Sequence, residues 1–198
     1  MCVADFEFFV ITNQTGLNHN DGILGLSPAH ESQNGPSYIK ALYEQGIIDE
    51  EVATFWLNFY TPDDIEKSIV TLGGVIDGSY RGEPFTQSLK TRYDSWWTVK
   101  MHDVKYGDSD IKDSGIGYAI IDSGTSLLYL GQKDYYNFVD KVKAEVPELD
   151  CSSNIYCYSN DYTCEELTPR MSSLMIQLQD NHYTLPPAAY TFSQGKYY

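Results

Sequence analysis

The chain has 198 residues, 42% hydrophobic and 21% charged, which provides a core for one large domain or two modest ones and excludes a disordered segment. Its 28 acidic against 13 basic side chains give a formal charge of −15, and Lys and Arg are scattered, so a nucleic-acid partner is excluded and an anionic membrane disfavoured. The acidic excess suits work at low pH, where protonation relieves self-repulsion, or serves solubility alone; 17 Tyr, eight Phe and three Trp lean the composition toward β structure.

The opening Met1-Cys2-Val3-Ala4-Asp5-Phe6-Glu7 lacks a basic leader and its apolar run is broken by Asp5 and Glu7, so it does not read as a signal peptide. No stretch has the length and apolarity of a membrane span. Residues 8–12, apolar and β-branched, predict a strand; residues 18–22 carry turn chemistry and 23–26 a short apolar run. Asn13-Gln14-Thr15 spells a glycosylation sequon, a pattern short enough to arise by chance. A helix is expected over 37–43, after Pro36 and before Gly46. Strands follow at 53–60, 68–72 and 96–101, each bounded by Gly, Pro or Asp.

Residues 119–121 and 127–130 are apolar runs separated by Asp122-Ser123-Gly124-Thr125-Ser126. Residues 133–146 predict an amphipathic helix with Tyr136, Val139 and Val142 on one face. A hairpin pairs 174–178 with 183–185 around Gln179-Asp180-Asn181-His182. Many short strands, two helices and no regular βα alternation make the fold class mostly β and antiparallel.

Of the four cysteines, Cys151, Cys157 and Cys164 cluster, with no His among them and no C-x-x-C pair, so no metal site is expected. A small disulfide loop formed in an oxidising compartment fits better; one thiol is then left for Cys2 or a cysteine elsewhere.

The segment that carries chemistry runs from Ala119 to Leu128. A carboxylate wedged between apolar strands is costly unless its charge is hydrogen-bonded. Ser123 and Thr125 offer hydroxyls, and Gly124 lets a peptide N–H approach without a side chain in the way. So held, Asp122 could share a proton with a second carboxylate, one taking a proton from water and the other donating to a carbonyl. The same residues also spell a plain turn in which Asp caps its own backbone; residue types alone leave both readings open. Asp113-Ser114-Gly115 repeats the tripeptide but, among Asp110, Lys112 and Gly117, reads as a polar turn.

In chain order, the sequence resembles pepsin-like aspartic proteases of the pepsin and cathepsin D family at six places. Asp122-Ser123-Gly124-Thr125-Ser126 between apolar runs is similar to their second catalytic loop, and Asp21-Gly22-Ile23-Leu24-Gly25-Leu26 to the segment beneath the first. Residues 55–60 resemble a strand of the sheet joining the lobes; Leu72-Gly73-Gly74-Val75-Ile76-Asp77 with Tyr80 and Gly82 follows the same pattern. Trp96-Trp97-Thr98-Val99 resembles the Tyr-Trp segment near the substrate pockets, with Trp96 in place of Tyr, and Tyr183-Thr184-Leu185 with Pro187 and Tyr190 resembles the end of the second lobe.

The resemblance implies an incomplete bilobal fold, with 1–78 the end of the first lobe and 79–198 most of the second. It implies an aspartic-type endopeptidase with Asp122 as the second-lobe catalytic residue, an acid pH optimum, peptide or protein substrates, no cofactor, and a secreted, lysosomal or vacuolar location. Ser123, Gly124, Thr125 and Ser126 would support the loop and substrate, and Trp96 would line a pocket. Cys164 would fit half of a second-lobe disulfide whose mate lies downstream, leaving Cys151 and Cys157 for a local loop. The family's first Asp-Thr-Gly, its flap and its closing C-terminal segment have no counterpart here, so the chain reads as a fragment with no activity by itself. It would need the remainder of its own chain rather than a homodimer; the alternative is a non-catalytic pepsin-like binding protein.

Overall fold

The computed structural model describes residues 3–13, 22–28, 35–57, 68–75, 95–153 and 156–193. These fall into two compact units: the first holds the described residues up to 75 together with 95–97, and the second those from 98 onward.

In the first unit, helix α1 spans Tyr38–Glu44, with Ser37 as its N-cap accepting a hydrogen bond from Lys40 N at 3.3 Å. Ile39 and Leu42 turn inward onto Ile48 and are joined by Val3, Leu26, Ala53 and Leu72. Strand β1, Ala53–Trp56, pairs antiparallel with β2, Ile69–Leu72. At Gly73 the backbone is left-handed, φ 91°, and a Cβ there would stand 2.6 Å from Ile48 Cβ, so glycine alone closes this corner. The side-chain amide of Gln45 clamps Ala4, accepting from its N–H and donating to its carbonyl, both at 2.9 Å.

The second unit is built on strand β3, Thr98–Tyr106. The short β4, Ser109–Asp110, pairs with its end and β5, Tyr118–Ile120, with its first three residues. Met101–Tyr106 pair with β6, Leu174–Leu178, across a register shift at Met101/Asp103, and β6 pairs with β7, Asn181–Leu185. Helix α2, Gln132–Glu145, supplies Val142 to a core of Val104, Tyr106, Ile111 and Leu174. Phe138 sits edge-on to both Tyr106 and Tyr190. Short helices α3, Cys164–Leu167, and α4, Pro187–Tyr190, complete the unit.

Mostly strands with few helices, the fold class is as expected, but several element boundaries differ. Residues 8–12 form no strand: Phe8, Phe9 and Val10 are 75–84% exposed. Residues 23–26 are likewise without strand pairing, and residues 18–21 of the expected turn lie outside the described ones. The strand expected at 53–60 ends at Trp56, its last three residues lying outside the described ones. The strand expected at 96–101 starts at Thr98 and continues to Tyr106. Residues 127–130 run as irregular chain, not strand. The hairpin turn tightens to Gln179-Asp180, with Gln179 at φ 50°, because Asn181 and His182 join the ladder. Tyr136 is 43% exposed, since it lies roughly 110° around α2 from the middle of the buried stripe at about 100° per residue. Helix α3 was not expected; its signal, Thr163-x-x-Glu166, was passed over, and both hydrogen bonds of that capping box are formed.

A polar cluster locks the end of α2 to the sheet. Glu145 accepts from Tyr106 Oη at 2.5 Å, Ser172 N at 2.9 Å and Ser172 Oγ at 2.6 Å. Tyr190 Oη donates to the Ser172 carbonyl, and Arg170 reaches the Glu145 carbonyl while forking onto Glu148. Burial by itself would raise the Glu145 carboxyl; the hydrogen bonds from Ser172 and Tyr106 outweigh it and set the group below its ordinary 4.5. Burial and the bond to Glu145 push the Tyr106 hydroxyl well up, and burial pushes Tyr190 up to about 12. With its folded value lowered, Glu145 contributes stability that is complete above 4.5 and is lost as pH falls through the folded value. Urea unfolding of the wild type and Glu145→Gln should therefore differ by about 1–2 kcal/mol at neutral pH, with the difference shrinking only below the ordinary glutamate range.

Candidate active site

Strand β5 carries the chain to Asp122. Its last paired residue, Ile120, faces Thr98 of β3, and Asp122 follows two residues later at the start of a turn. One carboxylate oxygen accepts from Gly124 N at 2.9 Å and the other from Thr125 Oγ1 at 2.5 Å. The bond from the N–H two residues on is what any turn-starting Asp makes; the Thr125 hydroxyl on the second oxygen goes beyond it. A Cβ at Gly124 would meet Asp122 Oδ1 at 3.2 Å, so a side chain there would press on the carboxylate. The Thr125 hydroxyl and then the Gly124 N–H hold the Asp122 carboxyl below its usual range, with no neighbouring charge among the described residues contributing.

The surroundings differ from the buried setting expected of two apolar strands. Ile120, Ile121, Leu128 and Tyr129 are 50–71% exposed, and Asp122 itself is exposed. Of the two hydroxyls expected to reach the carboxylate, Thr125 does; Ser123 and Ser126 are exposed beside it. Trp96 stands half exposed in the first unit, next to Trp97, whose indole N–H donates to the Leu26 carbonyl at 2.7 Å. Cys151 and Cys157 form a disulfide that closes a loop already bridged by Asp150 and Tyr158, and Cys164 is a free, half-buried thiol. No group of three or more His, Cys, Asp or Glu able to hold a metal occurs among the described residues.

Asp134, which no motif singled out, proves central. It lies in the first turn of α2, only 1% exposed, and accepts from Asp113 N at 2.5 Å, Ser114 N at 2.6 Å and Ser114 Oγ at 2.6 Å. The second Asp-Ser-Gly is thus a turn whose donors gather on a buried carboxylate. Burial works against the Asp134 charge, but those bonds, with help from Lys112, bring its carboxyl below the usual value. Gly131 makes the approach possible, because a Cβ there would stand 2.7 Å from Ser114 Cβ. Chain leaving Ser114 and returning at Gly131 is therefore cinched at its base, and Asp122 lies within it, two residues past β5. The available signal was an acid in the first turn of a helix.

The eukaryotic aspartyl protease family model matches residues 2–197. Vacuolar protease A of Arthroderma otae is 28% identical over 199 residues, which cover 96% of this chain and 45% of that protein. Mouse cathepsin D is 28% identical over 178 residues, 88% of this chain and 40% of that one. Rice oryzasin-1 is 33% identical over 135 residues, 65% of this chain and 26% of the relative. The chain thus spans less than half the length of these relatives. Among solved structures, the aspartic proteinase from Irpex lacteus superposes with a TM-score of 0.69 at 18% identity, covering 89% of this chain and 52% of that one, which shows a shared fold.

Thr125→Val should raise the Asp122 carboxyl toward its ordinary value while leaving the fold intact, read from the pH titration of its side-chain carbon resonance. Asp134→Ala leaves Asp113 and Ser114 donors without their acceptor and should cost about 1–3 kcal/mol, measured as a lower urea midpoint. Asp134→Asn should recover part of the loss.

Proposed function

The chain belongs to the eukaryotic aspartyl protease family, and from that premise we propose that it contributes Asp122 as one of the two carboxylates of a peptide-hydrolysing centre. The observation that carries this reading is the pair of hydrogen bonds on Asp122, one donor to each oxygen, which favours the ionised form. Two carboxylates close together cannot both ionise, so they share one proton. The ionised member removes a proton from water as the water oxygen bonds to the scissile carbonyl carbon. The protonated member gives its proton to the carbonyl oxygen. Collapse of the tetrahedral species breaks the C–N bond as the amine takes a proton, leaving a carboxylic acid and an amine.

Apart from Asp113-Ser114-Gly115, whose amides are turned to Asp134, the sequence has no second Asp-Thr-Gly or Asp-Ser-Gly. The second carboxylate then comes from protein outside this sequence. The exposed Ile120, Ile121, Leu128 and Tyr129 around the loop support its packing against such a portion. A second copy fits less well, because the resemblance spans parts of two different lobes. Thr125 sets the protonation of Asp122 and Gly124 leaves room at its oxygen, while Ser123 and Ser126 offer exposed hydroxyls from the same loop to a substrate. The Cys151–Cys157 disulfide supports an oxidising, secretory route to a lysosome-like or extracellular compartment.

The isolated chain should show no turnover of denatured protein from acid to neutral pH. Joined to a half that carries an apolar-flanked Asp-Thr-Gly it should cleave, and Asp122→Asn should then lower kcat by about 10²–10⁴-fold or more at unchanged stability. Full activity in that variant would sink the assignment in favour of a binding role.

A further inference from the structure

We propose that Asn13 is the acceptor of an N-linked oligosaccharide, and that this glycan covers the exposed apolar run at residues 8–11. The 198 residues contain a single Asn-x-Ser/Thr, Asn13-Gln14-Thr15, and its middle residue is not proline. Asn13 is exposed. The chain just before it is held in place: Gln45 brackets Ala4 through two hydrogen bonds, and the Phe6 ring sits edge-on to Tyr38. From that anchor the chain turns outward, and Phe8, Phe9, Val10 and Ile11 are 81%, 84%, 75% and 48% exposed.

Residues 6–12, Phe-Glu-Phe-Phe-Val-Ile-Thr, have aromatic and β-branched side chains, one charge, and no Pro or Gly. That composition favours strand-to-strand association between copies. A bulky, solvated oligosaccharide two residues past Ile11 obstructs such pairing without burying the run. A Cys151–Cys157 disulfide fits folding in an oxidising secretory compartment, where the modification occurs.

The co-reactant is an oligosaccharide carried on a lipid pyrophosphate. Asn13 Nδ2 bonds to the anomeric carbon, the bond from that carbon to the pyrophosphate oxygen breaks with its electron pair leaving on the pyrophosphate, and the amide releases one proton to a base. Nothing is oxidised or reduced.

The inference is independent of any role for Asp122. Residues 1–198 behind a cleavable secretory leader are translated into microsomes, and only chain protected from added protease is read. The expected result is an upward gel shift removed by amide-cleaving glycosidase, absent in Asn13→Gln and Thr15→Ala, and kept in Thr15→Ser. Protected chain without the shift would overturn the acceptor assignment. Purified glycosylated chain should sediment as a smaller species than the same chain stripped by glycosidase, and Val10→Lys should return the stripped form to the smaller size. Equal sedimentation before and after stripping would overturn the covering role.

Discussion

A carboxylate removed from water must find donors for its charge, and in the second unit that requirement is met at Asp134. Desolvating an ionised group costs several kcal/mol before compensation. Three short hydrogen bonds from Asp113 and Ser114 provide that compensation. Because all the donors come from one turn and the acceptor from the start of α2, meeting the charge also fixes the turn against the helix. Gly131 is the steric condition for this approach. Asp122 needs no burial of its own to be positioned, because both ends of its loop are held.

The other end of α2 repeats the arrangement with a different electrostatic cost. Asp134 sits near the helix N-terminus, where the dipole favours a negative charge; Glu145 sits at the C-terminus, where it does not. There the donors from Tyr106 and Ser172 outweigh both burial and dipole, and Arg170 takes up the Glu145 carbonyl. One helix is thus pinned at each end by a carboxylate with a lowered pKa. Such groups hold their charge to lower pH than an ordinary carboxylate, so the contacts at both ends of α2 persist as the medium turns acid.

Asp134 is buried and Glu145 partly so, each among its donors, whereas Asp122 is exposed among uncovered apolar side chains. In a chain less than half as long as its relatives, the second unit gathers donors onto its own carboxylates while Asp122 stays exposed. The Thr125 hydroxyl, reaching the second oxygen of Asp122, distinguishes this turn from an ordinary one.

Local signals in the sequence determined much of the fold. Pro36 before α1 and Gly46 after it, the spacing of Val139 and Val142 in α2 and the turn residues between β6 and β7 act within a few residues, and each element formed where those signals lie; the Thr163-x-x-Glu166 box is equally local but was passed over. Asp122 was legible for the same reason: the donors that hold it are two and three residues away. Where partners are distant, sequence reading fell short. Residues 8–12 have strand composition, but a strand exists only where another pairs with it, and none does among the described residues. Tertiary structure alone decided that Asp134 is buried, because its partners are 20 and 21 residues away and nothing local marks them. It also turned Asp113-Ser114-Gly115 into a binding turn for a carboxylate, since the contact that gives those residues their role is set by packing.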